Sequence, residues 1–148
     1  MTLTGSPDLS DAAIAARVRR SNQRIFAGYM GLQAVVGVLF WVALLGSSRI
    51  RSGFDLMPAE HAVTDAFFLA DVLVGVVGSA LAAWALWSDA RWAVPVTAFT
   101  TGGIVYPTLF LVCWVAMVGT GQACLAIMLP PAVLGSFVTW RVWVIDRS

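Results

Sequence analysis

The sequence contains no lysine: all nine of its basic residues are arginine. It has one histidine, His61, and two cysteines, Cys113 and Cys124, in 148 residues. The cysteines do not form a CxxC pair, so the motif of thioredoxin-like or quinone-linked dithiol chemistry is missing. One histidine and two separated cysteines also fall short of a four-ligand structural zinc site, and no metal and no cofactor is expected. Charge is scarce. It makes up 11% of the residues, where an ordinary soluble domain has about 25%. A soluble helical bundle needs a polar face on every helix, and this chain lacks the side chains to supply one. The net charge of +1 gives no bulk attraction for nucleic acid or for an acidic partner.

The chain is instead 59% hydrophobic, in long runs. A helix needs about 20 apolar residues to cross a hydrocarbon core about 30 Å thick. Four segments reach that length: 25–46, 62–87, 93–118 and 123–144. The stretch from Trp92 to Trp140 has no charged residue and is too long for one span. It is divided at Gly119-Thr120-Gly121-Gln122, which predicts a helical hairpin. The fold class expected is an all-α membrane protein: four transmembrane helices in an up-down-up-down bundle, left-handed and closely packed. A segment over 1–24 precedes the bundle of 25–148. No internal repeat or second domain is visible.

Ser6-Pro7-Asp8 and Ser10 are helix-start signals, so 1–24 is expected to form a short helix. Arg17, Arg20 and Arg24 share one of its faces, and Ile14, Val18 and Ile25 another. It leads into the first span or, alternatively, binds lipid headgroups. The residues from Ser47 to about Met57 read as a polar loop. Pro58-Ala59-Glu60 reads as the start of the second helix. Arg17, Arg19, Arg20, Arg24, Arg91, Arg141 and Arg147 fall on one side of the membrane, and Arg49 and Arg51 on the other. The positive-inside rule then makes both termini cytoplasmic. Trp84, Trp87, Trp92, Trp140 and Trp143 belong to the cytoplasmic interface, where tryptophan is favoured. The location expected is a cell membrane, plasma or bacterial inner, with the lipid bilayer as first partner.

Small residues mark close helix contacts. Gly75, Ser79 and Ala83 form an i, i+4, i+8 stripe on the second span, and Ala27 and Gly31 a pair on the first. Pro107 and Pro130-Pro131 lie inside spans and predict kinks. Tyr29 and Gln33 are expected to hydrogen-bond between helices. Thr97, Thr100 and Thr101 with Gly102-Gly103 form a polar patch expected to bond locally to the backbone. Cys113 and Cys124 are expected to be buried thiols, unbridged.

One carboxylate stands out. Asp71 lies within the second span, and an ionisable group at membrane depth is a functional-site hypothesis by default. Counting from Trp87 places it roughly 6–10 Å below the outer boundary, with Asp65 at that boundary. Asp65 and Asp71 are six residues apart and point to different faces, which disfavours a paired-carboxylate mechanism. His61 and Asp65, with Glu60 adjacent, are too few ligands for an outer metal site. Helices running up and down would bring Phe40-Trp41, Phe110 to Trp114 and Met128 to Pro131 to the level of Asp71. Trp41, Phe67, Tyr106, Thr108 and Trp114 are the candidate ligand-binding residues, and Asp71 the candidate general acid. Arg49 or Arg51 reaching in from the outer loop would make the acid structural.

Three functions follow. The first is a non-catalytic membrane protein, either an accessory subunit of a larger complex or a binder of a lipophilic small molecule. The second is an intramembrane isomerase or cyclase on a lipid-like substrate, using Asp71. The third is a small proton-coupled transporter, working as a homo-oligomer.

Overall fold

A computed structural model describes residues 9–56 and 61–146, with side chains from 13–56 and 65–146. The helix starts expected at Ser6-Pro7-Asp8 and Pro58-Ala59-Glu60, and the position of Arg147, lie outside the described residues. Within them the chain is all-helical, with no strand. The elements are α1 (Leu9–Gly46), α2 (Ser48–Phe54), α3 (His61–Ala70), a π-helical segment (Asp71–Val77), α4 (Gly78–Trp87), α5 (Ala93–Val118) and α6 (Gln122–Asp146). Four stretches are long and apolar enough to cross a membrane: Ala13–Gly46, Asp65–Trp87, Ala93–Val118 and Gln122–Asp146. The protein is a multi-pass membrane protein by this measure. Its surface agrees, since Leu32, Leu39, Leu69, Phe99 and Leu109 all point outward, as lipid-facing side chains do.

Successive spans are neighbours. α1 packs on α4 and the π segment, α4 on α5, and α5 on α6, while α1 meets α6 only lightly. α1 is a single helix of 38 residues. At about 1.5 Å per residue it is roughly 57 Å long, so the first span and a stem beyond the membrane are one rod. The residues expected as a polar loop after the first span fold into α2 instead. Ser47 caps it by accepting a hydrogen bond from the Ile50 amide at 3.3 Å. The turn Ser88–Trp92 returns the chain at the end where α1 begins and α6 ends, with Asp89 in the left-handed region (φ 53°). At the other hairpin Gly119 takes φ 78° and closes α5 by donating its backbone N–H to Val115 O. That conformation is the usual use of glycine after a helix C-terminus.

The second span breaks from a plain α-helix at Asp71. The Gly78 amide reaches Leu73 O, five residues back, which defines a π turn. An unbroken α-helix would set Asp71 and Ser79 about 80° apart. The extra residue removes roughly 100° of advance, so both face the bundle. The same shift splits the small-residue stripe read from sequence. Ser79 is buried and Ala83 packs opposite Gly31, where an added Cβ would lie 3.8 Å from the Ala83 methyl. Gly75, inside the π segment, meets nothing within 4 Å. The close approach to α5 falls to Gly78, where a Cβ would come within 2.7 Å of Thr100 Oγ1.

Packing differs between the two ends. At the end where α1 begins and α6 ends, Ala27, Met30, Ala82, Ala85, Leu86, Ala93, Val138 and Val142 form a filled core. A polar layer adjoins it. Tyr29 donates to Gln33 Oε1 at 2.7 Å, and Gln33 Nε2 donates to Ser79 Oγ at 2.8 Å. Thr97 bonds to its own helix at Ala93 O, as expected of the patch. Thr101 bonds across to α6, at Gly135 O and Thr139. Thr100 Oγ1 is buried without a partner. At the opposite end Trp41, Leu44, Leu56 and Leu111 are buried around a small cavity.

Candidate functional site

The cavity lies where α1, the second span, α5 and α6 meet beneath α2. Its volume is about 50 Å³. That is room for a few water molecules or one slim alkyl group, well short of a drug-sized ligand. Phe40, Trp41 and Leu44 line it from α1, Phe67 and Asp71 from the second span, and Pro107 and Leu111 from α5. Cys124, Ile127 and Met128 complete the wall from α6, and Phe54 and Leu56 close it from above. Asp71 is the only ionisable carboxylate among these residues. It forms no hydrogen bond or ion pair with the described residues.

Each wall has a local cause. Trp41 is held edge-on between Phe40, at 5.7 Å, and Phe68, at 5.0 Å between ring centroids. Phe40 in turn meets Phe54 of α2 at 5.3 Å. Edge-to-face pairs of this kind fix ring orientation as well as burying area. Pro107 lies inside the continuous helix α5 and lines the cavity. The π segment begins at Asp71 and aims the carboxylate inward, and such segments recur at functional sites.

The roof is tied down by polar bonds. Thr120 Oγ1 donates to Leu56 O at 2.7 Å, and Trp114 Nε1 donates to Thr120 Oγ1 at 3.2 Å. The Cys124 thiol donates to Phe54 O at 3.0 Å. Leu56 itself is only 2% exposed, lying against Gly121, where a Cβ would come within 2.7 Å of its Cδ2. On the outside, Arg51 of α2 is paired and hydrogen-bonded to Asp65 of α3. The outer-loop cation therefore goes to the interfacial acid, and Arg49 is exposed. Neither arginine bonds to Asp71.

The structure brings Asp71, Trp41 and Phe67 together and separates the other three candidates from them. Tyr106 is 77% exposed and lies on the outer surface of α5. Thr108 is buried, but its hydroxyl donates to Ile104 O at 2.7 Å and Met128 O at 3.4 Å. Trp114 does not line the cavity; it is linked to it through Phe110, whose ring is 6.2 Å from that of Phe67, and through Thr120, which bonds to Leu56 O of the roof. Both cysteines are free, but neither is fully buried as expected: Cys113 is exposed and Cys124 half-buried. Phe54, Leu56 and Cys124 belong to the site without having been expected there. The apolar Ile50, Phe54 and Leu56 among polar neighbours were the available sign that this loop folds onto the bundle. The side chain of His61, and Glu60, lie outside the described residues. Among the described residues no cluster of three His, Cys, Asp or Glu could hold a metal.

No protein-family model matches the chain, nor does any curated protein or solved structure.

Proposed function

We propose that this membrane protein is a non-catalytic binder of a slim lipophilic molecule carrying one hydrogen-bond donor, an alcohol or an amine, taken into the cavity at Asp71. One observation carries the reading. A carboxylate lies at membrane depth, in an apolar cavity, with its oxygens unclaimed by any described side chain. A buried polar group without a partner costs on the order of 1–3 kcal/mol in mutational data, so a chain that keeps one gains by filling it. Trp41 and Phe67 supply the apolar wall against which an alkyl group packs.

The enzyme and transporter readings have less support. A single carboxylate can act as an acid, but among the described residues the cavity offers no second carboxylate, histidine or cation to complete an acid–base cycle. A transporter needs a path from Asp71 to both faces, and the filled core at Met30, Ala82 and Ala85 stands in the way. The positive-inside rule places the termini in the cytoplasm and the cavity on the far side, within reach of molecules in the outer leaflet.

The test is a melting series on the purified protein in detergent with 1-hexanol, hexylamine and hexane at matched concentrations. The alcohol and the amine are expected to raise the midpoint more than hexane does, and Asp71→Leu to abolish the difference. Equal responses to all three probes would overturn the reading.

A further inference from the structure

At the end opposite the cavity, the stem of α1 leans over the turn after α4 and the last turn of α6. Between them is a cleft of about 630 Å³ of mixed lining, with Arg19, Arg20, Asn22 and Asp89 beside Val18 and Ile145. Its one carboxylate is already engaged. Asp89 Oδ1 accepts from Gln23 Nε2 at 2.9 Å, and Oδ2 is 3.5 Å from Arg19. Asp89 and Arg19 thus neutralise each other. Arg20 forms no ion pair with the described residues, so its guanidinium is the uncompensated charge of the cleft. One turn farther along, Arg24 lies over the Trp87 ring, 5.5 Å from its centroid.

Tryptophans near this cleft indicate its depth. Trp84, Trp87 and Trp92 are exposed at the end of the second span and the turn after it, with Trp84 and Trp92 5.4 Å apart. Exposed tryptophans at a span end mark the headgroup layer, and the anions found at that depth are lipid phosphates. An arginine fork matches two phosphate oxygens, which a point charge does not.

We propose that this cleft binds the phosphate of an anionic phospholipid headgroup, with Arg20 as the main ligand and Arg24, braced on Trp87, as the second. The site is separate from the cavity and does not depend on its ligand.

The test compares dioleoyl phosphatidylglycerol with dioleoyl phosphatidylcholine, added at equal concentration to the full-length protein and read by native mass spectrometry. The glycerol lipid is expected to be retained preferentially, and Arg20→Gln to weaken it about fivefold, the effect of one arginine at an anionic surface. Arg49→Gln, at the other end of the bundle, is the control and is expected to change nothing. Equal retention of the two lipids, or equal loss in both variants, overturns the proposal. So does displacement of the lipid by inorganic phosphate at the same concentration, which would make the site one for free phosphate. If Arg20→Gln does not fold, the comparison of the two lipids on the unaltered protein still decides.

Discussion

Arg51 is paired with Asp65, and Asp71, six residues deeper in the same span, has no cation among the described residues. The two acids therefore have different roles in the fold. Asp65 latches α2 to α3 at the surface, and Asp71 faces an apolar cavity.

Replacing Asp71 by Leu is expected to stabilise the protein by on the order of 1 kcal/mol, because it removes an unpaired polar group from an apolar wall. Reversible unfolding in mixed micelles measures it. A loss of stability would mean that Asp71 has a structural partner.

Breaking the latch is expected to do little to stability. Arg51 and Asp65 are both partly exposed, and such pairs contribute between zero and about 1 kcal/mol. Access to the cavity should change more. With N-ethylmaleimide, Cys124 is expected to react slowly, because it lies under Phe54. In Asp65→Ala, labelling of Cys124 should speed up severalfold, as peptide mass spectrometry would show. An unchanged rate would show that the hydrogen bonds from Thr120 and Cys124 hold the roof without the ion pair.

Gly78 and Thr100 are in contact, so their substitutions should not be additive. Gly78→Ala places a methyl against the Thr100 side chain and is expected to cost about 1–3 kcal/mol. Thr100→Ala removes both the obstructing atoms and an unpartnered hydroxyl. The double variant should recover much of the loss, a coupling that a double-mutant cycle reads directly.

The link between α1 and α4 through Gln33 is a smaller effect. Gln33→Leu removes the bonds to Tyr29 and Ser79 and is expected to cost about 0.6 kcal/mol, or up to about 1.7. A larger loss would point to a role for Gln33 beyond packing.

Deleting Leu73 from the π segment should restore a plain α-helix and turn Asp71 away from the bundle by roughly 100°. The variant is expected to fold but to lose the difference between alcohol and hexane in the melting series. If that difference survives, the π segment does not aim the carboxylate.

Depth was legible in the sequence and direction around the helix axis was not. Counting residues along the spans put Trp41 at the level of Asp71, Phe67 at the span end above it and Tyr106 about one turn deeper. Which side of α5 faces inward depends on packing. Pro107 lines the cavity, and its neighbour Tyr106, about 100° around the helix, faces out. A span that is apolar on all sides gives no amphipathic signal to separate the two. The π segment was hidden for a related reason: Asp71–Val77 reads as ordinary helix, and only the contacts of Ser79 and Gly78 reveal the shifted phase. The roof over 47–56 was missed because its polar residues suggested solvent, although Phe54 and Leu56 point into the bundle.

The unbroken run of α1 has a mechanical meaning. Arg20 and Trp41 are on one rod, about 32 Å apart along its axis, with no turn between them to absorb motion. A change of tilt at the stem is transmitted to the aromatic wall on the far side of the membrane, so the two ends of this small protein cannot reorient independently.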